Sequence, residues 1–288
     1  MRYDSIFRPG LFEGRSIIVT GGGSGIGRCT AHELAALGAH VALVGRKPAK
    51  LDAVVAEIAE AGGRATAHPC DIREEGPVGD TVAAILARHS RIDGLVNNAG
   101  GQFSAPLAKI SQKGWETVVR TNLTGGFLMA RECYNRWMAD HGGAIVNIIA
   151  DMWRSMPAMG HSGAARAGML NFTETAAVEW GHAGVRVNAV APGYIASSGL
   201  DNYPPEVRPM IRRLKTLVPL SRVGTESEVA AAIVFLLSDG AAFISGSCLR
   251  VDGAAPNARG NYPLPKGEPA PAFDGFHLAS TPQVLSED

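Results

Sequence analysis

Seven short apolar runs, most of them rich in β-branched residues, recur along the 288-residue chain at 17–19, 41–44, 65–68, 95–96, 145–149, 185–190 and 248–251. Between them lie segments with helical spacing, at 28–37, 50–60, 79–89, 115–138, 164–180 and 226–237. Strands that alternate with helices imply a parallel sheet with right-handed crossovers and helices on both faces. The expected fold class is α/β, a single doubly wound Rossmann domain with a parallel sheet and a Pro-rich C-terminal arm. Alanine and glycine crowd the packed sides of the helical segments, which lets helices lie close on the sheet. The length suffices for one large domain and requires no second core, so residues 1–253 read as one domain and 254–288 as a C-terminal extension.

Composition narrows the partners. Lys plus Arg number 27 and Asp plus Glu number 27, with a pI near 7.1, so no global field draws in nucleic acid or an anionic membrane. Cys29, Cys70, Cys133 and Cys248 are far apart and form no C-x-x-C pair, which argues for buried thiols in a reducing compartment and against a metal site. Residues 1–14 lack the apolar core of a secretory signal, and the longest apolar stretch, 229–237, is too short to span a bilayer. The expected partner is a small molecule.

The first strand runs into Thr20-Gly21-Gly-Gly-Ser24-Gly25-Ile26-Gly27 and then into a helix. A strand feeding a glycine-rich turn into a helix is a dinucleotide cradle. Gly21 permits the tight turn, Gly25 lets backbone approach a pyrophosphate, and Gly27 lets the helix pack close to the strand. The second strand ends Val44-Gly45-Arg46-Lys47, without the acid that accepts ribose hydroxyls. Arg46 can fork onto a 2′-phosphate, so the expected cofactor is NADP(H); the competing reading makes Arg46 and Lys47 solvated charges at a helix start.

Two segments break the strand–helix rhythm. Residues 199–224 hold Pro204, Pro205, Pro209 and Pro219 with four arginines and a lysine, and follow a strand whose carboxyl end should face a ligand. This is a candidate substrate lid. Residues 254–288, rich in proline, read either as an arm packed on this or a neighbouring subunit or as a disordered tail.

With the glycine turn stand Asn97-Asn98-Ala99-Gly100 after the fourth strand, Asn122 in a long helix and Pro192-Gly193 after the sixth strand. Together these resemble the short-chain dehydrogenase/reductase family over roughly residues 11–253. The resemblance implies Asp71 and Ile72 beside an adenine, Asn98, Ala99 and Gly100 lining the pocket, and Ile195 and Ser197 near a carboxamide. The stretches Asn97-Asn98-Ala99-Gly100-Gly101-Gln102-Phe103, Lys113-Gly114-Trp115, Thr121-Asn122-Leu123-Thr124-Gly125, Gly142-Gly143-Ala144-Ile145-Val146-Asn147-Ile148-Ile149 and His161-Ser162-Gly163-Ala164-Ala165-Arg166-Ala167-Gly168 resemble more closely the peroxisomal trans-2-enoyl-CoA reductases, relatives of the 2,4-dienoyl-CoA reductases. The implied substrate is an acyl-CoA thioester. The chain ends Leu285-Ser286-Glu287-Asp288, without a peroxisomal signal, so the expected location is cytoplasmic. The family usually assembles as homotetramers through the helices at 115–138 and 164–180.

Common members of the family reduce or oxidise a carbonyl with Ser, Tyr and a Lys four residues after the Tyr. Aligned on Ala167-Gly168, the Lys position holds Arg166, the Tyr position Ser162, and the Ser position Ile149 or Ala150; Asn122 alone remains. A guanidinium gives up no proton near neutral pH, so Arg166 hydrogen-bonds the cofactor ribose or adds positive charge. Ser162 can donate to an oxyanion, and His161, Asp151, Tyr194 or water remain as proton sources. The tyrosines that the two reductase groups use elsewhere match Asp151 and Leu170 here. Reduction of a conjugated C=C tolerates these losses best, because the thioester oxygen needs polar donors first and a proton only afterwards. Asn122, Ser162 and Arg166 are the candidate donors, and Arg208, Arg212, Arg213 and Lys215 could meet CoA phosphates or form a solvated helix face. The alternatives are an alcohol or carbonyl dehydrogenase, for instance of isoprenoid alcohols, and a non-catalytic NADP(H)-binding protein.

Overall fold

A computed structural model of the chain describes residues 2–203, 205–258, 263–265 and 267–286. Pro204, Glu287 and Asp288, invoked above, lie outside the described residues. The seven expected strands are present: β1 (Ser16–Thr20), β2 (His40–Gly45), β3 (Arg64–Pro69), β4 (Gly94–Asn97), β5 (Gly143–Ile148), β6 (Val185–Pro192) and β7 (Cys248–Val251). They form one parallel sheet in the order β3-β2-β1-β4-β5-β6-β7. The order reverses between β1 and β4, and at such a switch point the strand ends part and leave a crevice for a ligand.

Alternation along each strand sorts the core into two layers. Ile17, Val19, Val41 and Leu43 face α1 (Gly25–Ala36), α2 (Pro48–Glu60) and α9 (Glu226–Leu237) through Leu34, Val54 and Ile233. Ile18, Ala42 and Val44 face α3 (Glu75–His89), α5 (Gly125–Cys133) and α7 (Gly160–Trp180) through Val82, Met129 and Ala176. Each fully buried aliphatic side chain of this kind contributes about 1.5–3 kcal/mol. Gly94 shows why small residues recur: a Cβ there would lie 2.8 Å from Ile17 Cδ1.

The helix expected at 115–138 is interrupted. α4 (Gln112–Val119) leads through a π turn (Arg120–Thr124) into α5, and a second π turn (Tyr134–Met138) leads into α6 (Ala139–His141). Spacing of apolar residues does not resolve such one-residue adjustments. Within 199–224 the chain forms short 3-10 turns and α8 (Arg208–Arg213), with Ile211 and Leu214 in a small apolar cluster.

The arm packs on its own chain. Phe276 is buried with Tyr3, Cys29 and Ala230, while the Phe273 carbonyl accepts from Thr225 Oγ1 at 2.6 Å and Arg222 Nε donates to the Ala270 carbonyl at 2.8 Å. Its α10 (Gln283–Ser286) seats Val284 against the 199–224 cluster, and Asp201 accepts from the Val284 N–H at 3.0 Å. No helix of the described residues is long and apolar enough to cross a membrane.

Candidate active site

The glycine turn closes at the switch point. Gly21 takes φ +67°, in the left-handed region that favours glycine, and a Cβ on it would lie 2.9 Å from Ala99 Cα. At Gly27 a Cβ would lie 2.4 Å from Asn98 Nδ2 and 2.5 Å from the Gly21 carbonyl oxygen, so no other residue fits. Asn98 Nδ2 donates to the Thr20 carbonyl at 3.0 Å, and Thr20 Oγ1 accepts from the N–H groups of Asn98 and Ala99 at 3.0 Å each. These bonds stitch the end of β1 to the end of β4.

A dinucleotide fits this cradle on its own terms. Ser24 stands at the N-cap of α1 without a side-chain capping bond, the first turn carries no acid, and the space over Gly25 is open to 3.8 Å. A helix start whose N–H groups are left uncapped offers them and its positive end to phosphate, with Glu226 Oε1 the nearest group over Gly25. Ile26 packs partly buried beside it. Arg46 is exposed at the end of β2. Arg73 binds Asp71 through Nε at 2.8 Å and through its backbone N–H at 3.1 Å, and this guanidinium holds the Asp71 carboxyl below the usual carboxylate range, with Arg46 adding to the effect. Ile72 is buried against Gly125. Across the cleft, β6 ends at Pro192; Gly193 leaves no room for a Cβ beside Asp252 Cα at 2.8 Å, Ile195 bridges to Gly224, and Ser197 is the N-cap of the 3-10 turn Ser198–Asn202.

Four residues expected to carry chemistry converge on a single loop. Arg166 lies on α7 with Nη1 donating to the Ile148 carbonyl, and a Cβ on Gly100 would lie 2.5 Å from its Nη2. Burial pushes this guanidinium down to about 10, and its Nε is buried without a partner. Asn122, inside the π turn, clasps Gly101 from both sides: Nδ2 donates to the Gly101 carbonyl and Oδ1 accepts from the Gly101 N–H, each at 2.9 Å. Ser162 is 0% exposed, and its hydroxyl donates to Gln102 Oε1 at 2.7 Å. His161 accepts from the Ser162 N–H at 2.8 Å through Nδ1 and meets the edge of Phe103 at 4.4 Å, so it is held as a core imidazole. A small recess of about 10 Å³ lies between Arg166, Asn122, Thr20, Asn97, Ile148 and Met169.

Asp151 and Tyr194 stand apart from this group, at the ends of β5 and β6. Burial pushes the Asp151 carboxyl up, and burial followed by Asp151 pushes the Tyr194 phenol up, so the two are electrostatic neighbours. Asp151 Oδ1 is buried without a partner. Of the basic group on 199–224, Arg213 and Lys215 are exposed, whereas Arg212 donates to the Val284 carbonyl of the arm at 3.1 Å. Gln102 and Tyr203 were not picked out as site residues from sequence. Gln102 Nε2 donates to Tyr203 Oη at 3.1 Å, a contact between residues 101 positions apart that no local pattern encodes.

Residues 21–254 match the family described as enoyl-(acyl carrier protein) reductase. The chain belongs to the short-chain dehydrogenase/reductase family of oxidoreductases. A probable 2,4-dienoyl-CoA reductase of Bacillus subtilis is 37% identical over 244 residues, 84% of this chain and 96% of that protein. A peroxisomal 2,4-dienoyl-CoA reductase of Danio rerio is 35% identical over 266 residues, 88% of this chain and 85% of that protein. Among solved structures, the citronellol catabolism dehydrogenase of Pseudomonas aeruginosa PAO1 superposes with a TM-score of 0.80 at 66% identity, covering 88% of this chain and 99% of the other.

Proposed function

We propose that this chain is an NADP(H)-dependent reductase of a carbon–carbon double bond conjugated to an acyl thioester. The observation that carries the reading is Ser162, which stands where ketone-reducing relatives hold their acidic tyrosine and whose buried hydroxyl is already committed to Gln102. A site without a titratable hydroxyl at that position suits a reaction whose first demand is polar donors on an oxygen. The relatives named as dienoyl-CoA reductases support the same substrate class. Arg46 supports the phosphorylated cofactor. Gly21, Gly25, Gly27 and Arg46 would hold a reduced nicotinamide dinucleotide, which would supply hydride for the β-carbon and leave negative charge on the thioester oxygen. Arg166 raises the local positive potential, Asn122 holds the Gly101 backbone, and water protonates the α-carbon. Exposed Arg213 and Lys215 are available to the phosphates of a CoA carrier. A cytoplasmic homotetramer, formed through the α4–α5 and α7 surfaces, accompanies this reading from the family resemblance; Trp115, Phe127 and Val178 are apolar and exposed there.

A second reading rests on the 66% identical structure, whose name places it in citronellol catabolism: oxidation of an isoprenoid alcohol by NADP+. One experiment separates the two. Purified protein is given crotonyl-CoA and longer or methyl-branched 2-enoyl-CoA thioesters with NADPH or NADH, and, in parallel, citronellol with NADP+. Thioester-dependent oxidation, faster with NADPH than with NADH, is expected. Turnover of citronellol with none of any thioester overturns the first reading in favour of the second, and tight NADPH binding with no turnover of either makes the chain a nucleotide-binding protein.

A further inference from the structure

The loop Gly100-Gly101-Gln102-Phe103 is gripped residue by residue: Arg166 abuts Gly100, Asn122 clasps Gly101, Ser162 binds the Gln102 side chain and His161 meets the Phe103 ring. Two of the residues best placed by sequence to polarise a substrate, Asn122 and Ser162, are 3% and 0% exposed and direct their polar groups into this loop. Gln102 itself is exposed to the cleft. Two hydrogen bonds, from Ser162 and to Tyr203, hold this exposed side chain, whereas a surface glutamine ordinarily keeps its rotamer freedom.

Both ends of the Gln102 amide are read the same way. The Ser162 hydroxyl donates to Oε1, and Nε2 donates to Tyr203 Oη, so the oxygen points into the protein and the nitrogen toward the cleft. A side-chain amide carries two N–H donors, and Tyr203 uses one of them. Among the described residues the other makes no hydrogen bond. A serine is several ångströms shorter than a tyrosine, so the Gln102 amide takes over the reach that Ser162 lacks.

We propose that Gln102 is a catalytic residue of this site: its free Nε2–H donates to the thioester carbonyl oxygen of the substrate and stabilises the charge that gathers there, while Ser162 is the positioning residue that fixes the amide's orientation. This rests on the thioester reading above. Tyr203 belongs to the 199–224 segment, so that segment already holds one end of the amide.

The test uses the full-length protein with crotonyl-CoA and NADPH. Wild-type turnover establishes the reaction; its absence overturns the thioester reading and this role together. Given turnover, Gln102→Glu, of equal size but without a donor when ionised, should lower kcat by about 10²–10³-fold at pH 8, the usual effect of removing one oxyanion donor, with NADPH affinity by fluorescence unchanged. Its activity relative to wild type should climb as pH falls toward 5, because a protonated carboxyl again donates. Ser162→Ala should lower kcat by about tenfold without changing NADPH affinity, and Ser162→Thr should restore most of that loss. A Gln102→Glu enzyme within twofold of wild type at pH 8, or one equally impaired across the pH range, overturns the proposal.

Discussion

The two halves of the sheet treat their polar residues in opposite ways. On the β1–β4 side, Thr20, Asn98 and the glycine turn bind one another tightly and leave an open, uncapped helix start for a ligand. On the β5–β6 side, Asn122, Ser162 and Arg166 are turned inward, and a loop from the other half, 100–103, is what they hold out to the cleft. Glycines with no room for a Cβ, joined by the Thr20 and Asn98 side-chain bonds, make the first half, so its residues are fixed by shape. Side-chain bonds make the second, so its residues can be exchanged as long as the loop remains gripped. A family that keeps one way of holding a nucleotide while changing its reactions needs this division.

The comparison breaks most sharply at Gly27. Gly27→Ala puts a methyl carbon within 2.4 Å of Asn98 Nδ2 and 2.5 Å of the Gly21 oxygen, backbone that cannot yield without opening the turn. NADPH affinity should fall at least a hundredfold by fluorescence titration, with the melting temperature lowered as well. Arg166 tests the other half and should spare the nucleotide: Arg166→Met should cost about 10²-fold in kcat while NADPH affinity changes severalfold at most, and Arg166→Lys should recover most of the rate. An Arg166→Met protein that loses NADPH binding as completely as Gly27→Ala would show the two halves to be one site.

The smallest expected effect lies behind the nucleotide half. Burial pushes the Glu33 carboxyl up to about 7, against the lowering influence of its hydrogen bonds from Ser5 and Tyr3. A carboxyl raised in the folded state contributes stability that is full below its unfolded pKa and is lost as pH rises through the folded one. Stability should therefore decline between about pH 4.5 and 7 on this account, and Glu33→Gln should remove about 1–3 kcal/mol of that decline in denaturant titrations across the range. A pH slope identical to wild type would place the buried charge elsewhere.

The legible parts of the molecule were those that repeat or that admit a single residue. Strand positions followed from alternation, and the turn at 20–27 from glycines that have no substitute. Sequence also marked Ser162 and Arg166 as altered, because a neighbouring Ala167-Gly168 pair supplied the register. It did not reveal what they do instead. Gln102 sits 60 positions from Ser162, Tyr203 a further 41 beyond that, and contacts over such separations leave no periodic trace. The sequence leaves the arm open to readings as a tail or a strap; Phe276, carrying its ring in among Tyr3, Cys29 and Ala230, and Val284, seated on the 199–224 cluster, make it a strap.

The π turn at Arg120–Thr124 amounts to one surplus residue wound into an otherwise regular helix. Excising a single residue there would let the helix relax to ordinary pitch, with the change absorbed by the residues of the π turn and not passed on to α4 or α5. Asn122 would then point away from Gly101 while α4 and α5 remained fully helical by circular dichroism. The register of that helix is therefore a dimension of this site in its own right, one that insertions and deletions can alter while every side chain stays the same.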